Sequence, residues 1–172
     1  MLREKVEKTL NLQVEKEGFS SNLYLAMASW TEVNGYPGSA TWLYQQAEEE
    51  RLHMIKIFRY INDRGGCGTV PAFKQPQIEF ESLHDIFQKV FEHELFISQS
   101  INDLVGVCWE EKDYTTVQFL QWYVQEQIEE ESNAKTILDR LNLLGEDKSR
   151  LYLFDRDIES FRKPAGAAPA AV

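Results

Sequence analysis

The stretch LHDIFQKVFEHELFISQSINDL, residues 83–104, reads as an amphipathic helix whose apolar stripe is broken once. The stripe is Leu83, Phe87, Val90, Glu94, Ile97, Ile101 and Leu104, in steps of four and three that keep all of them on one helix face. Every member is apolar except Glu94, at the middle. Three other segments are built the same way. The first helix carries Val6, Leu10, Gln13, Glu17, Ser20, Tyr24 and Met27; the second carries Leu43, Ala47, Glu50, Met54, Ile57 and Ile61, with His53 one turn from Glu50. The fourth carries Leu120, Tyr123, Gln127, Glu130, Ala134, Ile137 and Leu141. A carboxylate in such a seam is costly to bury without compensation. Four of them at one level repel one another and hold their protons tightly. Two divalent cations remove both problems, because four carboxylates against two M²⁺ are charge-neutral.

A chain of 172 residues suits one domain with a real core. With 43 % hydrophobic and 27 % charged residues it has the composition of a soluble globular protein. The formal net charge of −10 argues against nucleic acid as a partner and favours cations. Cys67 and Cys108, the only cysteines, form no C-x-x-C pair and read as free thiols in a reducing cytosol. The start, MLREKVEKTLNLQVEKE, is charged throughout and has no apolar signal region. No apolar run approaches membrane-spanning length. The expectation is therefore a cytoplasmic protein with no membrane contact.

The period and the punctuation place five helices. The first runs roughly from Arg3 to Glu32 and ends at Asn34–Gly35–Tyr36–Pro37–Gly38. Ser39 is the expected N-cap of the second, which runs to about Asp63 before Gly65 and Gly66. Residues 65–81 hold three of the nine glycines and two of the five prolines, with no helical period. The third helix follows Ser82, with Asp85 completing a capping box, and reaches about Glu111. Asp113 caps the fourth, which ends at Leu144 before Gly145. A short fifth helix spans about Lys148 to Phe161; Pro164 ends it and AGAAPAAV reads as a flexible tail, giving a domain 1–163 and a tail 164–172. Loop length then sets topology. The first and second helices, and the third and fourth, are joined tightly and run antiparallel. The ~17 residues between the second and third reach about 55 Å when extended, more than the ~45 Å of a 30-residue helix. These two helices therefore run parallel. The fold expected is all-α: a four-helix bundle with one long crossover, the connection of ferritin-like bundles, plus a short fifth helix.

Glu17, Glu50, Glu94 and the pair Gln127 and Glu130 all fall near mid-helix, so the site is expected inside the bundle, halfway along. Glu50 and His53, three apart, can bind one metal. Oxygen ligands with one imidazole suit Fe²⁺ or Mn²⁺, with Zn²⁺ an option. A bridging Glu50 would join two sites, Glu17 and His53 completing the first, Glu94 and Glu130 the second. That second site has no imidazole and would hold iron loosely, which suits a substrate passing through. Gln127 is a weak ligand that can hydrogen-bond a metal-bound group. Tyr24, two turns from Glu17, can bond a ligand carboxylate or donate an electron, and Trp122 could act with it; packing is the plain alternative for both. Glu49, Glu126 and Glu129 could form a third, more exposed cation site, or simply a solvated acidic face. His84 and His93 lie off the seams and are expected at the surface; Met27 and Met54 are expected as core filler.

From Met1 to about Phe161 the chain resembles the non-haem bacterial ferritins. The resemblance is carried by Glu17 with Tyr24, the E-E-x-x-H run Glu49 to His53, Glu94, the Q-x-x-E pair Gln127 and Glu130, Trp122, and the Glu126 and Glu129 pair. It implies a homo-oligomeric shell of twenty-four subunits that oxidises Fe²⁺ with dioxygen or hydrogen peroxide and stores ferric oxyhydroxide. It implies a first iron site of Glu17, Glu50 and His53, a second of Glu50, Glu94 and Glu130 supported by Gln127, and a third of Glu49, Glu126, Glu129 and Glu130. Bacterioferritins look similar but carry a second E-x-x-H on the fourth helix and a methionine after the second-helix glutamate. Here those positions hold Q-x-x-E and Arg51, so no haem is expected. Two cysteines cannot build the four-cysteine iron site of rubrerythrin-like peroxidases. Mini-ferritins place their site between subunits, whereas here one chain supplies every ligand. Where animal ferritins have an acidic three-fold entrance, Val117 to Leu120 is apolar. Two other readings stand beside the storage ferroxidase: an enzyme with retained metals acting on an organic or peroxide substrate, and a bundle that binds cations without oxidising them.

Overall fold

The structure, a computed structural model, describes residues 1–145 and 147–161. Four long helices, α1 (Glu4–Val33), α2 (Pro37–Asp63), α3 (Leu83–Glu110) and α4 (Tyr114–Leu144), are followed by α5 (Lys148–Asp157) and one 3-10 turn, Ile158–Phe161. Pro164 and the Ala/Pro tail lie outside the described residues. Pairwise contacts fix the directions. α1 meets α3 through Arg3 with Glu111, Lys5 with Glu110 and Gln13 with Ser100, so these two run antiparallel. α2 meets α4 through Gln46 with Glu130, the Tyr123 hydroxyl with the His53 carbonyl, and Arg64 with Asp113, again antiparallel. α2 and α3 are therefore parallel, and the segment between them crosses the length of the bundle. This is the architecture that the loop lengths require.

The predicted caps of α3 and α4 are present. The Asp85 N–H donates to Ser82 Oγ at 3.0 Å, and the Asp85 carboxylate accepts from the Glu81 N–H. Asp113 Oδ1 accepts from the Thr116 N–H at 3.1 Å. The start of α2 differs from expectation. The helix begins at Pro37, whose missing N–H costs nothing at the first position. Ser39 lies inside the first turn, buried, with its hydroxyl unpartnered. The cap comes from α5 instead: Asp155 Oδ1 and Oδ2 accept the Ser39 and Gly38 N–H groups at 2.7 and 3.0 Å. A Cβ on Gly38 would stand 1.8 Å from the Asp155 carbonyl oxygen, so only glycine lets α5 come this close. Phe154 and Ile158 then add to the core against Trp42 and Phe87.

The four seams all face inward, and apart from the half-buried Met54 all their residues are buried. The core falls into two apolar clusters. One holds Met27, Leu43, Phe87, Val90, Ile137 and Leu141. The other holds Val6, Leu10, Ile57, Ile97, Ile101 and Leu120. Between them lies a buried polar layer of Gln13, Glu17, Ser20, Gln46, Glu50, His53, Glu94, Gln127 and Glu130. The crossover closes one flank, with Phe73 resting on Gly18, where a Cβ would stand 2.4 Å from the ring.

The α5 cap sets a test. Asp155→Ala leaves one buried and one part-buried N–H group at the start of α2 without acceptors and is expected to cost about 1–3 kcal/mol. Denaturant unfolding at fixed protein concentration reads the loss, and helix content by circular dichroism stays close to wild type.

Candidate metal centre

α1 and α2 bring Glu17, Glu50 and His53 together. Their candidate ligand atoms all lie within 4.8 Å of one another, the only such group among the described residues. His53 Nδ1 is 3.7 Å from Glu50 Oε2, an oxygen that is buried and has no hydrogen-bond partner. On the other side, Gln13 Nε2 donates to Glu17 Oε1 at 2.8 Å. The His53 turn is fixed from α4: the Tyr123 hydroxyl donates to its carbonyl oxygen at 2.9 Å, and Trp122 packs edge-on to the imidazole at 5.3 Å.

Glu94 and Glu130 face the same layer from α3 and α4. The Tyr24 hydroxyl donates to Glu94 Oε1. Gln127 Nε2 donates to Glu94 Oε2 at 3.1 Å. Gln46 Nε2 donates to Glu130 Oε2 at 3.0 Å. All four carboxylates are at most 6 % exposed. Glu49, Glu126 and Glu129 are half-buried at the edge of the layer, and the structure does not bring them to common ligand spacing. They are close enough to act on each other electrically, since both Glu129 and Glu49 add to the burial that raises the pKa of Glu126. Lys56 joins this edge, with its Nζ 2.9 Å from the centroid of the Trp122 ring.

Burial controls the charge of the layer. Burial, reinforced by the Glu50 charge, pushes the Glu17 carboxyl up to about 8. Burial, then Glu94 and Glu130, pushes Glu50 well above the ordinary carboxylate range. Glu94 is raised by burial too, against the Tyr24 and Gln127 hydrogen bonds that hold it down. Tyr24 is raised far beyond the ordinary phenol by burial and by Glu94. Without a cation, burial favours the protonated forms of Glu17 and Glu50; a divalent cation held there would displace those protons and give the orphaned Glu50 oxygen a partner. A hard-oxygen set with one imidazole fits Fe²⁺, Mn²⁺ or Zn²⁺.

Two histidines were expected at the surface. His84 is exposed, but His93 is not. It is wedged among Phe19, Tyr24 and Phe96, its Nε2 is 2.8 Å from Ser20 Oγ, and burial holds its pKa down to about 4. Gln46 and Lys56 were not singled out in the sequence. Gln46 could have been, because it falls on the seam between Leu43 and Glu50; Lys56 lies off every seam and gives no such signal.

A bundle with one crossover and a carboxylate–imidazole layer defines the class of carboxylate-lined metal-site bundles. The comparisons sharpen this. The ferritin-like domain family matches residues 7–144. The chain is 47 % identical to a probable bacterial non-heme ferritin-like protein of Haemophilus influenzae over 92 % of this chain and 96 % of that one. It is 44 % identical to a bacterial non-heme ferritin of Campylobacter jejuni over 93 % and 96 %. An open-pore ferritin from the hyperthermophilic archaeon Archaeoglobus fulgidus superposes with a TM-score of 0.90 at 39 % identity, over 91 % of this chain and 96 % of that one. The chain belongs to the ferritin family.

The raised Glu17 pKa predicts how the metal-free protein responds to pH. Its folded value of about 8 exceeds the ordinary 4.5, so the protonated carboxyl favours folding. That contribution is complete below about pH 4.5 and is lost as pH rises through 8. Melting temperatures across this window are expected to fall less steeply in Glu17→Gln than in wild type. Saturating divalent cation at neutral pH is expected to restore the wild-type loss.

Proposed function

We propose that the protein is an iron-storage ferroxidase. The observation that carries this reading is the Glu17, Glu50 and His53 group with its unpartnered Glu50 oxygen, inside a layer where burial raises the pKa of both Glu17 and Glu50. Fe²⁺ is the substrate. Glu17, Glu50 and His53 receive one ion; Glu50, Glu94 and Glu130 receive a second, with Gln127 orienting Glu94. Each Fe²⁺ gives up one electron. Two of them take dioxygen to hydrogen peroxide, or hydrogen peroxide to water. Tyr24, bonded to Glu94, and Trp122, packed on His53, are placed to supply the second electron where only one Fe²⁺ is bound, and to regain it from the next Fe²⁺. Glu49, Glu126 and Glu129, with Glu130, supply the third, more exposed cation site.

In this reading the Fe³⁺ product collects as ferric oxyhydroxide inside a homo-oligomeric shell of twenty-four subunits, in the cytoplasm, with no haem, nucleic acid or membrane involved. Among the described residues no helix is long and apolar enough to cross a membrane. The family of the relatives supports storage over an enzyme with retained metals, as does the lack of an imidazole beside Glu94 and Glu130.

The test adds Fe²⁺ anaerobically to metal-free protein, then admits oxygen, following absorbance and iron retention on size exclusion. Rapid oxidation with many irons per chain eluting in a large particle is expected, and Glu50→Ala is expected to oxidise no faster than buffer. Oxidation that stops at two or three irons per chain would point to the retained-metal enzyme instead. No oxidation above buffer in the wild type would leave only a cation-binding bundle.

A further inference from the structure

The buried polar layer does not end at the four carboxylates. Gln13, 1 % exposed, and Ser100, 5 % exposed, continue it between α1 and α3, and neither has a part in the proposed chemistry. The connection is continuous. The ammonium of Lys16, half-buried at the outer end, donates to Ser100 Oγ. Ser100 Oγ donates to Gln13 Oε1 at 2.6 Å, and Gln13 Nε2 donates to Glu17 Oε1 at 2.8 Å.

The hydrogen bonds of this chain all run inward from its outer end. An ammonium has no lone pair, so Ser100 must accept from Lys16. Its single proton is then left for Gln13. That makes the Gln13 carbonyl oxygen the inner acceptor and turns its NH₂ toward Glu17. With a metal ion on Glu17 its carboxylate would be ionised, and the opposite amide orientation would set a carbonyl oxygen against it, which repels. One Glu17 oxygen is thereby fixed in place, with Glu50 and His53 within ligand spacing of the carboxylate. Lys16 also lies 5.5 Å from the Phe96 ring, which steadies the ammonium on its outer side.

The geometry points to Lys16 as a positioning residue for metal binding: through Ser100 and Gln13 it orients the Glu17 carboxylate from the outside of the bundle. The inference rests on the reading of Glu17 as a metal ligand. Partners one shell out from a ligand commonly change metal affinity by 10–100-fold when removed; three hydrogen bonds away, roughly tenfold is expected.

Co²⁺ titrated alone into the metal-free assembled protein, followed by calorimetry and visible absorption, tests it. Lys16→Met keeps the length and apolar stem but donates nothing. It is expected to weaken the tightest Co²⁺ step about tenfold and to shift the ligand-field bands, with the melting temperature of the metal-free protein little changed. Lys16→Arg, which can still donate, is expected to restore both. Ser100→Ala is expected to match Lys16→Met, and the double variant to be no weaker than either, because both act through one chain. A Lys16→Met titration and spectrum superposing on wild type would overturn the assignment. So would a loss that Lys16→Arg fails to restore, or one matched by an equal loss of thermal stability. Wild-type protein that takes up no Co²⁺ would instead overturn the metal-centre reading on which the assignment rests.

Discussion

Everything in this bundle is arranged around the cost of four carboxyl groups in a dry layer. An unpaired carboxylate in a low-dielectric interior is too costly to keep ionised and takes a proton instead. Glu17 and Glu50 follow this rule, both raised first by burial and then by their neighbours' charges. The layer is thus stable in two conditions, with protons or with cations. Neutral hydrogen-bond donors hold the carboxyls in position in either condition: Gln13 on Glu17, Tyr24 and Gln127 on Glu94, and Gln46 on Glu130. The donors on Glu17 and Glu94 are amides and a phenol, with no ammonium or guanidinium among them. A permanent ion pair there would compete with any incoming metal.

The layer also explains the shape of the core. Apolar packing cannot run through it, so the hydrophobic core is divided into two clusters, one at each end of the bundle. Each needs its own closure. At one end Arg64, donating to Asp113, ties the end of α2 to the start of α4. At the other, α5 brings Phe154 and Ile158 into the cluster and supplies Asp155 to the start of α2. The crossover that lets α2 and α3 run parallel also brings Phe73 over α1 at Gly18. The helices are long enough to give each cluster several turns of apolar contact, which offsets the polar layer.

Most of the frame is legible in the sequence because it is periodic. The stripe from Leu83 to Leu104 fixes a face and marks Glu94 as the exception on it; the same holds for Glu17, Glu50 and Glu130. The caps Ser82 and Asp113 act within three residues, so local spacing reveals them. The cap of α2 is not local. Ser39 has the right residue type in the right place, yet Asp155, more than a hundred residues away, takes the N–H groups. His93 fails for a similar reason. It lies off its helix's seam, but Phe19, Tyr24 and Phe96 enclose it from two helices, which no single-helix period can show. The partners of the carboxylates divide the same way. Gln13 and Gln46 sit on their seams, whereas Lys16 and Lys56 lie beside theirs and emerge only once α1 meets α3 and α2 meets α4.

The two open flanks of the layer are chemically opposite, and this bears on how a cation substrate meets it. Between α1 and α3 the contacts are donors: the Lys16 ammonium, Ser100 and Gln13, all pointing inward. A cation approaching there meets the like charge of Lys16. Between α2 and α4 stand Glu49, Glu126 and Glu129, and the Lys56 ammonium beside Glu126 has its pKa lowered to about 8 by burial. Burial has already made that charge costly, so a divalent ion beside Glu126 displaces it more readily than it would a fully hydrated lysine. The same Lys56 lies over Trp122, whose edge touches His53. Under the proposed function, exchange of metal ions with the surroundings would run through the α2–α4 flank, and the α1–α3 flank would orient Glu17.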